Sequence, residues 1–320
     1  MCLIGLAIDQ ERRFPLVIAT NRDEYFRRAA ARLAWWTPST GGPAILGGRD
    51  MAAGGTWLGM TTLGRLAMLT NVREPALKPD PKAPSRGGIV PDWLAGREAP
   101  DKFWMRTALS GHNGFNLIAA DFRLGECFWA SNRSAYPKRL ERGLYGLSNA
   151  GLDTPWPKVV ALKQAMAEAL KTAASVDALS LALFAALARR EPASDDTLPS
   201  TGVPLAWERA LSPAFIRTDD GAYGTRCSTL VITERVNRTL VTHVLERTFS
   251  PTGGLALLRR ATLKNWPPRY HLDPEGIDDG PTPQEPVRDS ELDPAAALQP
   301  RRRTRIRSLL KPAKPVRRPR

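Results

Sequence analysis

The sequence predicts an α+β protein with antiparallel sheets, because strand and helix patterns occupy separate stretches of the chain. Short runs of Ile, Leu, Val and Thr between Gly or Asp turns dominate residues 1–150. Helical spacing replaces them over residues 156–172 and 176–190. Strand patterns return over residues 226–233 and 239–246. Blocks of strands around a block of helices indicate antiparallel pairing and argue against a doubly wound parallel sheet.

Local signals support the individual elements. Two hairpins are predicted, one from strands 54–60 and 66–71 and the other from strands 116–120 and 126–130. The first helix follows Asp153-Thr154-Pro155, which supplies a capping residue and a proline near the first helical turn. Val159, Leu162 and Met166 then recur at helical spacing.

Composition divides the chain into three parts. Residues 1–255 are predicted to form the main domain, and residues 256–272 a C-terminal extension. Residues 273–320 are predicted to be disordered, as an acidic, proline-rich linker and a basic tail. Ten of the fourteen net positive charges lie in residues 301–320. The tail predicts weak contact with nucleic acid or anionic lipid, or else a solvated segment without a dedicated partner.

Cysteine usage and hydropathy exclude several classes of protein. Three cysteines without paired spacing argue against a disulfide framework and a zinc site, so no metal or cofactor is expected. No apolar run approaches the roughly 18 residues that cross a bilayer. The start of the chain lacks a basic region and reaches Asp9 too early for a secretory signal. We therefore expect a cytoplasmic protein without a transmembrane segment.

Cys2 is the first candidate for chemistry. It follows Met1 and opens an apolar run typical of a strand. Removal of Met1 would place a thiol and a free α-amine on one residue, which provides a nucleophile and a general base without histidine. The alternative is that Cys2 is a small hydrophobic residue of a buried strand.

Several polar and glycine-rich motifs accompany Cys2 in a fixed order, and together they are more specific than any one of them. This set resembles the NRDE family, which includes the transport and Golgi organisation protein 2 of animals, over roughly residues 1–255. The motifs are Asn21-Arg22-Asp23-Glu24, Gly47-Gly48-Arg49-Asp50, Gly54-Gly55-Thr56-Trp57-Leu58-Gly59, Leu69-Thr70-Asn71, Asn113-Gly114-Phe115-Asn116-Leu117, Gly146-Leu147-Ser148-Asn149-Ala150 and Gly224-Thr225-Arg226-Cys227-Ser228-Thr229.

The chain is also distantly similar to the choloylglycine hydrolases and penicillin V acylases, which are N-terminal nucleophile hydrolases. That resemblance implies a four-layer αββα sandwich and a role for each candidate residue. Cys2 would be the nucleophile, and Asp23 would orient its amine. Asn71 and Asn149 would stabilise the oxyanion, while Arg226, together with Arg22, would favour the thiolate.

Strand alternation raises two questions about these assignments. Arg22 and Asp23 are adjacent, so both reach one site only if the strand has ended or bulges there. If Arg226 faces the cleft, alternation turns Cys227 away from it and makes Cys227 a core thiol. A Cys-His pair from Cys127 or Cys227 with His112 or His243 stays open, although no motif supports it.

Two functions follow from these residues. The first is hydrolysis of a non-peptide linear amide by Cys2, with a small-molecule amide as ligand. The alternative is a non-catalytic haem or lipid carrier, as the family resemblance implies, for which His112 or Cys2 would be an axial ligand of haem. Trp57 would line the cleft or fill the core, and Ser85-Arg86-Gly87-Gly88 would face the site or cap a helix.

Overall fold

The computed structural model describes residues 2–251, 257–268 and 286–290, and this part of the chain forms two antiparallel sheets and five α-helices. The first sheet has the strand order β10-β1-β2-β11-β12-β13-β14. Its strands are β1 (Cys2–Ile8), β2 (Leu16–Tyr25), β10 (Gly143–Leu147), β11 (Tyr223–Val236), β12 (Thr239–Thr248), β13 (Leu257–Lys264) and β14 (Arg288–Ser290).

The second sheet follows chain order from β3 to β9, so each strand pairs antiparallel with the next. This is a meander, in which the connection between Asn71 and Phe115 is long and contains two of the helices. Its strands are β3 (Ala30–Trp36), β4 (Ile45–Asp50), β5 (Leu58–Met60), β6 (Arg65–Asn71), β7 (Phe115–Asp121), β8 (Glu126–Ser131) and β9 (Lys138–Arg139).

Four of the five helices cover the outer faces of the two sheets. An apolar cluster that includes Leu3 and Val17 packs helices α3 and α4 on the first sheet. A second cluster, around Trp93, packs α1 and α2 on the second sheet. A third lies between the sheets and contains Ile4 and Met68. The helices are α1 (Ile89–Leu94), α2 (Pro100–Ala108), α3 (Pro157–Thr172), α4 (Val176–Leu187) and α5 (Leu205–Ala210).

Helix α3 lies unusually close to β1. A Cβ atom at Gly5 would overlap the sulfur of Met166 and crowd Leu162, both on α3. A larger residue at this position would therefore force the Met166 side chain to move, because the helix side chains approach the strand backbone directly. The contact fixes the first strand, which carries Cys2 at its end.

The predicted α+β class and the antiparallel pairing are confirmed, and the two predicted helices appear as α3 and α4. Strands β3 and β4 and helices α2 and α5 were not predicted, and α1 was anticipated only as a helix entered through Ser85-Arg86-Gly87-Gly88. Glycines and arginines interrupt the apolar pattern of β3 and β4, and the three helices are only six to nine residues long. Short elements carry weak periodicity, so tertiary packing decides their structure.

The first sheet continues beyond the predicted domain boundary at residue 255. Strand β13 pairs with β12 along its length, and its Leu263 is buried in the core between the sheets. Residues 288–290, within the predicted linker, pair with β13 as strand β14. The basic residues 301–320 lie outside the described part of the chain. Within that part, the helices are all too short or too polar to cross a membrane.

Candidate active site

Cys2 begins the first strand on the face that points toward the second sheet. Ile4 and Leu6, which alternate with Cys2 along β1, belong to the apolar cluster between the sheets. The backbone carbonyl of Cys2 accepts a hydrogen bond from the Ser148 hydroxyl at 2.9 Å. Cys2 is 9% exposed, so its thiol lies at the boundary between the core and a cavity.

That cavity, here called the Cys2 cavity, has a volume of about 180 Å³. It opens at the ends of strands from both sheets, where the apolar core gives way to charged side chains. Its lining includes Cys2, Arg22, Asp23, Trp57, Asn71 and Arg86. The structure thus brings four of the six predicted site residues to one cavity.

Arg22 and Asp23 both reach the cavity although β2 runs through them to Tyr25. The irregularity is on the neighbouring strand. Thr225 of β11 pairs with Asp23 and Cys227 pairs with Arg22, so a bulge leaves Arg226 as the extra residue. Arg22 lies directly opposite Cys2 and shares its face of the sheet, whereas Asp23 lies on the helix side of the strand.

The Arg22 guanidinium is held against an aromatic ring. It lies 4.2 Å from the ring centroid of Trp57, and its Nη2 is 3.4 Å from the Asp50 carboxylate. Its Nη1 is buried and has no hydrogen-bond acceptor among the described residues. Arg22 lowers the pKa of the Cys2 thiol, but burial, the larger effect, raises it, so the net direction is upward. Trp57 both packs against the core and lines the cavity.

Asp23 is buried and belongs to a polar cluster beneath the cavity. Its carboxylate accepts a hydrogen bond from Thr225 at 2.7 Å, and its backbone carbonyl accepts one from the Tyr223 hydroxyl at 3.1 Å. Burial raises the pKa of Asp23, while the charge of Lys158 acts in the opposite direction. Asp23 is therefore less acidic than a carboxylate in water.

Lys158 is a buried member of this cluster that the sequence analysis missed. It comes from the first turn of α3 and donates from Nζ to the Leu211 carbonyl at 2.9 Å. Burial lowers its pKa to about 8, and the charge of Asp23 limits the decrease. The residues around it predicted only a helix. The one sequence feature that indicated a buried polar role was a lysine on an otherwise apolar helix face.

Asn71 and Asn149 are hydrogen-bonded to each other, but only Asn71 is among the residues that line the Cys2 cavity. Asn149 is fully buried and donates from Nδ2 to the backbone carbonyl of Asn71 at 2.9 Å and to its side-chain oxygen at 3.1 Å. Asn71 lines the Cys2 cavity. With its oxygen held by Asn149, Asn71 has its own Nδ2 left as a donor for a ligand. Asn149 thus positions Asn71.

Arg226 lies in a neighbouring cavity. Its Nη1 donates to the carbonyls of Tyr25 and Arg28, each at 2.8 Å. The alternation argument was wrong here because the bulge resets the faces: Cys227 lines the same cavity as Arg226, while Ser228 bonds Asn21 on the helix side. Cys227 is nevertheless buried, and burial raises its pKa well above the usual value.

The sequence left open whether Arg86 faces the site or belongs only to a helix cap, and the structure places it at the candidate site. It opens a short 3-10 helix over residues 86–88 and lines the Cys2 cavity, while its Nη1 donates to the Gly114 carbonyl at 2.9 Å. Burial lowers its pKa, and the charge of the Cys2 thiolate would raise it. A second cavity, of about 250 Å³, continues from Asn71 and Arg86 along the loop at residues 72–79.

The predicted histidine alternatives are not assembled. His112 places its Nδ1 2.9 Å from the Pro84 carbonyl, and the ring packs on Phe115. His243 pairs with Ile232, well along β12 from the pairing of Cys227 with Thr248. The described residues contain no group of three or more His, Cys, Asp or Glu suited to a metal ion.

Comparison with known proteins agrees with the ordered motifs. Residues 1–251 match the family described as Transport and Golgi organisation 2. The chain is 33% identical over 256 residues to the Transport and Golgi organization protein 2 homolog of Bos taurus, with 73% of this chain and 89% of that protein covered. It is 32% identical over 250 residues to the human homolog, with the same coverage. Identity to the Drosophila melanogaster Transport and Golgi organization protein 2 is 27% over 275 residues, with 78% and 93% covered. The chain therefore belongs to the Transport and Golgi organisation 2 family.

Proposed function

We propose that this protein carries an N-terminal-cysteine amidohydrolase-like site that cleaves a non-peptide linear amide, with Cys2 as the nucleophile. The observation that carries the proposal is the convergence of Cys2, Asp23 and Asn71 on one cavity. A nucleophile, an acidic group and an amide donor within one cavity are the parts that acyl transfer needs. The resemblance to N-terminal nucleophile hydrolases and their four-layer sandwich supports the same conclusion.

Activation of the thiol depends on the loss of Met1. Burial raises the pKa of Cys2, so a thiol flanked by a peptide bond would be mostly protonated near neutral pH. Removal of Met1 frees the α-amine of Cys2, which then accepts the thiol proton. Asp23 orients the resulting ammonium, and Arg22 favours the thiolate.

The thiolate sulfur then attacks the amide carbonyl carbon, and the carbonyl oxygen becomes an oxyanion. Nδ2 of Asn71 donates to this oxygen, with Asn149 fixing the amide plane. The ammonium of Cys2 returns its proton to the amide nitrogen as the carbon–nitrogen bond breaks, which releases an amine and leaves a thioester. Water, deprotonated by the same α-amine, hydrolyses the thioester and releases the carboxylic acid.

Carriage of haem or lipid is the alternative function for this fold. The Cys2 cavity has only about 180 Å³ and is lined by three charged side chains among the six named above, which suits a small polar reacting group. Pockets for larger ligands are mostly apolar and have about 300–1,000 Å³. These features favour hydrolysis over carriage at this cavity.

The first experiment is the intact mass of the purified protein before and after brief treatment with iodoacetamide. We expect loss of Met1 and one rapid adduct that disappears in Cys2→Ala. Cys127→Ala is the matched control, because Cys127 is also buried but lies outside the cavity, and it should keep the adduct. Retention of Met1, or an adduct no faster than that of a free cysteine, would refute the proposed hydrolase site.

A further inference from the structure

The cavity beside Arg226, here called the Arg226 cavity, is distinct from the Cys2 cavity and has a volume of about 280 Å³. It lies where the bulge of β11 meets the end of β2. Its lining includes Arg22, Trp57, Arg226, Cys227, Glu246 and Phe249. Arg22 and Trp57 are shared with the Cys2 cavity, so the two spaces adjoin.

Two guanidinium groups in this lining lack acceptors for buried N–H groups. Nη1 of Arg22 and Nε of Arg226 are buried without a hydrogen-bond partner in the described part of the chain. The Arg22 side chain is only 5% exposed. A buried donor without an acceptor is costly, and a ligand oxygen would remove that cost. The charge of Arg22 also helps to lower the pKa of Arg226, so the two cations repel each other.

The charges around the cavity favour an anion. Among its described lining residues, three arginines accompany a single acid, Glu246. Both oxygens of Glu246 are already engaged, with the Leu33 amide at 2.6 Å and the Thr229 hydroxyl at 3.3 Å. Burial raises the pKa of Glu246 to about 7, so near that pH much of this carboxyl is neutral. Arg22 also pairs with Asp50 at 3.4 Å and Glu24 at 3.8 Å, whereas Arg226 has no carboxylate within ion-pair distance among the described residues.

Much of the remaining wall is apolar. Trp57 and Phe249 provide ring surface, Ala30, Ala31 and Leu257 add aliphatic surface, and Thr248 and Ser250 add two hydroxyl-bearing residues. A ligand that fits this cavity thus has a charged end and an apolar body. A planar carboxylate matches the guanidinium fork, whereas a dianionic phosphate would face Glu246 and have no apolar part to bury.

We propose that the Arg226 cavity binds a small organic monocarboxylate, with the carboxylate between Arg22 and Arg226 and its apolar body against Trp57 and Phe249. Binding at this site does not require turnover at Cys2. The two cavities adjoin, so a ligand here lies next to the proposed nucleophile.

The test is calorimetric titration of the full chain with hexanoate, benzoate and inorganic phosphate. Hexanoate and benzoate should bind, and phosphate should bind more weakly than either. Arg226→Gln should weaken carboxylate binding by about tenfold or more, as expected for a charged hydrogen bond. Arg209→Gln is the matched control, because it removes one positive charge from an exposed ion pair with Asp195, and it should leave the affinity unchanged. Equal affinity of Arg226→Gln and wild type, or tighter phosphate binding, would overturn the proposal.

A second variant is needed because Arg226→Gln also removes hydrogen bonds from Arg226 to two backbone carbonyls and so alters the fold around the cavity. Glu246→Gln supplies it. Wild-type affinity should fall by about tenfold between about pH 6 and about pH 8, as Glu246 ionises beside the ligand. Glu246→Gln should retain the affinity of the lower pH throughout. The other charged or titratable groups that face Glu246 are Arg22, Arg32, Arg226, Cys227 and Arg259. The same pH dependence in both proteins would contradict the assignment.

Cys2→Ala separates this inference from the proposed hydrolase site. Carboxylate binding should survive in Cys2→Ala, while the rapid adduct at Cys2 is lost. Carboxylate binding without any activated thiol would refute the hydrolase proposal alone. Rapid labelling of Cys2 without carboxylate binding would refute the Arg226 cavity proposal alone.

Discussion

Asn149 donates two hydrogen bonds to one residue, Asn71, reaching its backbone carbonyl at 2.9 Å and its side-chain oxygen at 3.1 Å. The two asparagines lie at or just beyond the ends of strands in different sheets. Asn71 is the last residue of β6 in the second sheet, and Asn149 lies two residues after the end of β10 in the first sheet. The pair therefore links the sheets at the cavity. It also leaves the Asn71 amide nitrogen, in the lining of the Cys2 cavity, as a hydrogen-bond donor.

Replacement of Asn149 by alanine should impair acyl transfer and spare alkylation. Without Asn149 the Asn71 amide is free to rotate, so acylation of Cys2 by p-nitrophenyl acetate should slow by about tenfold to a hundredfold. Alkylation by iodoacetamide forms no oxyanion and should keep its rate. Intact mass spectrometry follows both reactions. Asn132→Ala is the control, because Asn132 bonds Phe115 and His112 away from the cavity. Equal slowing of both reactions would argue against an oxyanion role.

Lys158→Met should change the dependence of stability on pH. The pKa of Lys158 falls from 10.5 to about 8 on folding, so between these values the unfolded chain binds more protons. This group therefore makes the folded state more stable as pH rises from about 8 to 10.5. Wild type should gain about 3 kcal/mol relative to Lys158→Met over that range. Urea unfolding at several pH values measures the difference, and Lys171→Met tests an exposed lysine of the same helix. A constant difference across the range would contradict the buried charge.

Glu246→Gln should stabilise the protein above neutral pH. The pKa of Glu246 is raised from 4.5 to about 7, so the folded state binds more protons in this interval and loses stability as pH rises through it. The variant should match wild type near pH 4.5 and exceed its unfolding free energy by about 3 kcal/mol above pH 7. Gln retains an acceptor for the Leu33 amide. Urea unfolding at both pH values checks this, with exposed Glu168→Gln as control. No gain at the higher pH would show that Glu246 is ionised without cost.

Gly5→Ala should destabilise the protein by about 1–3 kcal/mol, because the added methyl overlaps Met166 on α3. Shortening the facing side chain should relieve the overlap, so Gly5→Ala should cost less in a Met166→Ala background. Chemical denaturation of the four proteins gives the coupling energy. Gly88→Ala is the control, because an added Cβ atom there has no atom within 4 Å apart from the adjoining chain and creates no overlap. Additive effects of the two substitutions would contradict the close approach of α3 to β1.

The larger elements of the fold and most of the Cys2 cavity could be predicted from local sequence patterns. The long helices α3 and α4 and the strands with strong apolar patterns were predictable because local periodicity and packing agree there. Cys2, Asp23 and Asn71 were predictable because they stand at strand ends within ordered motifs. The family was likewise predictable from those motifs.

The distribution of the polar residues between the two cavities could not be predicted locally, because it depends on contacts between distant strands. The bulge at Arg226 depends on the pairing of β11 with β2, a contact between residues about two hundred positions apart, and it moves Arg226 out of the Cys2 cavity. Lys158, Arg86 and Glu246 acquire their environments from other elements of the fold. Register and burial arise from long-range packing, which no local pattern encodes.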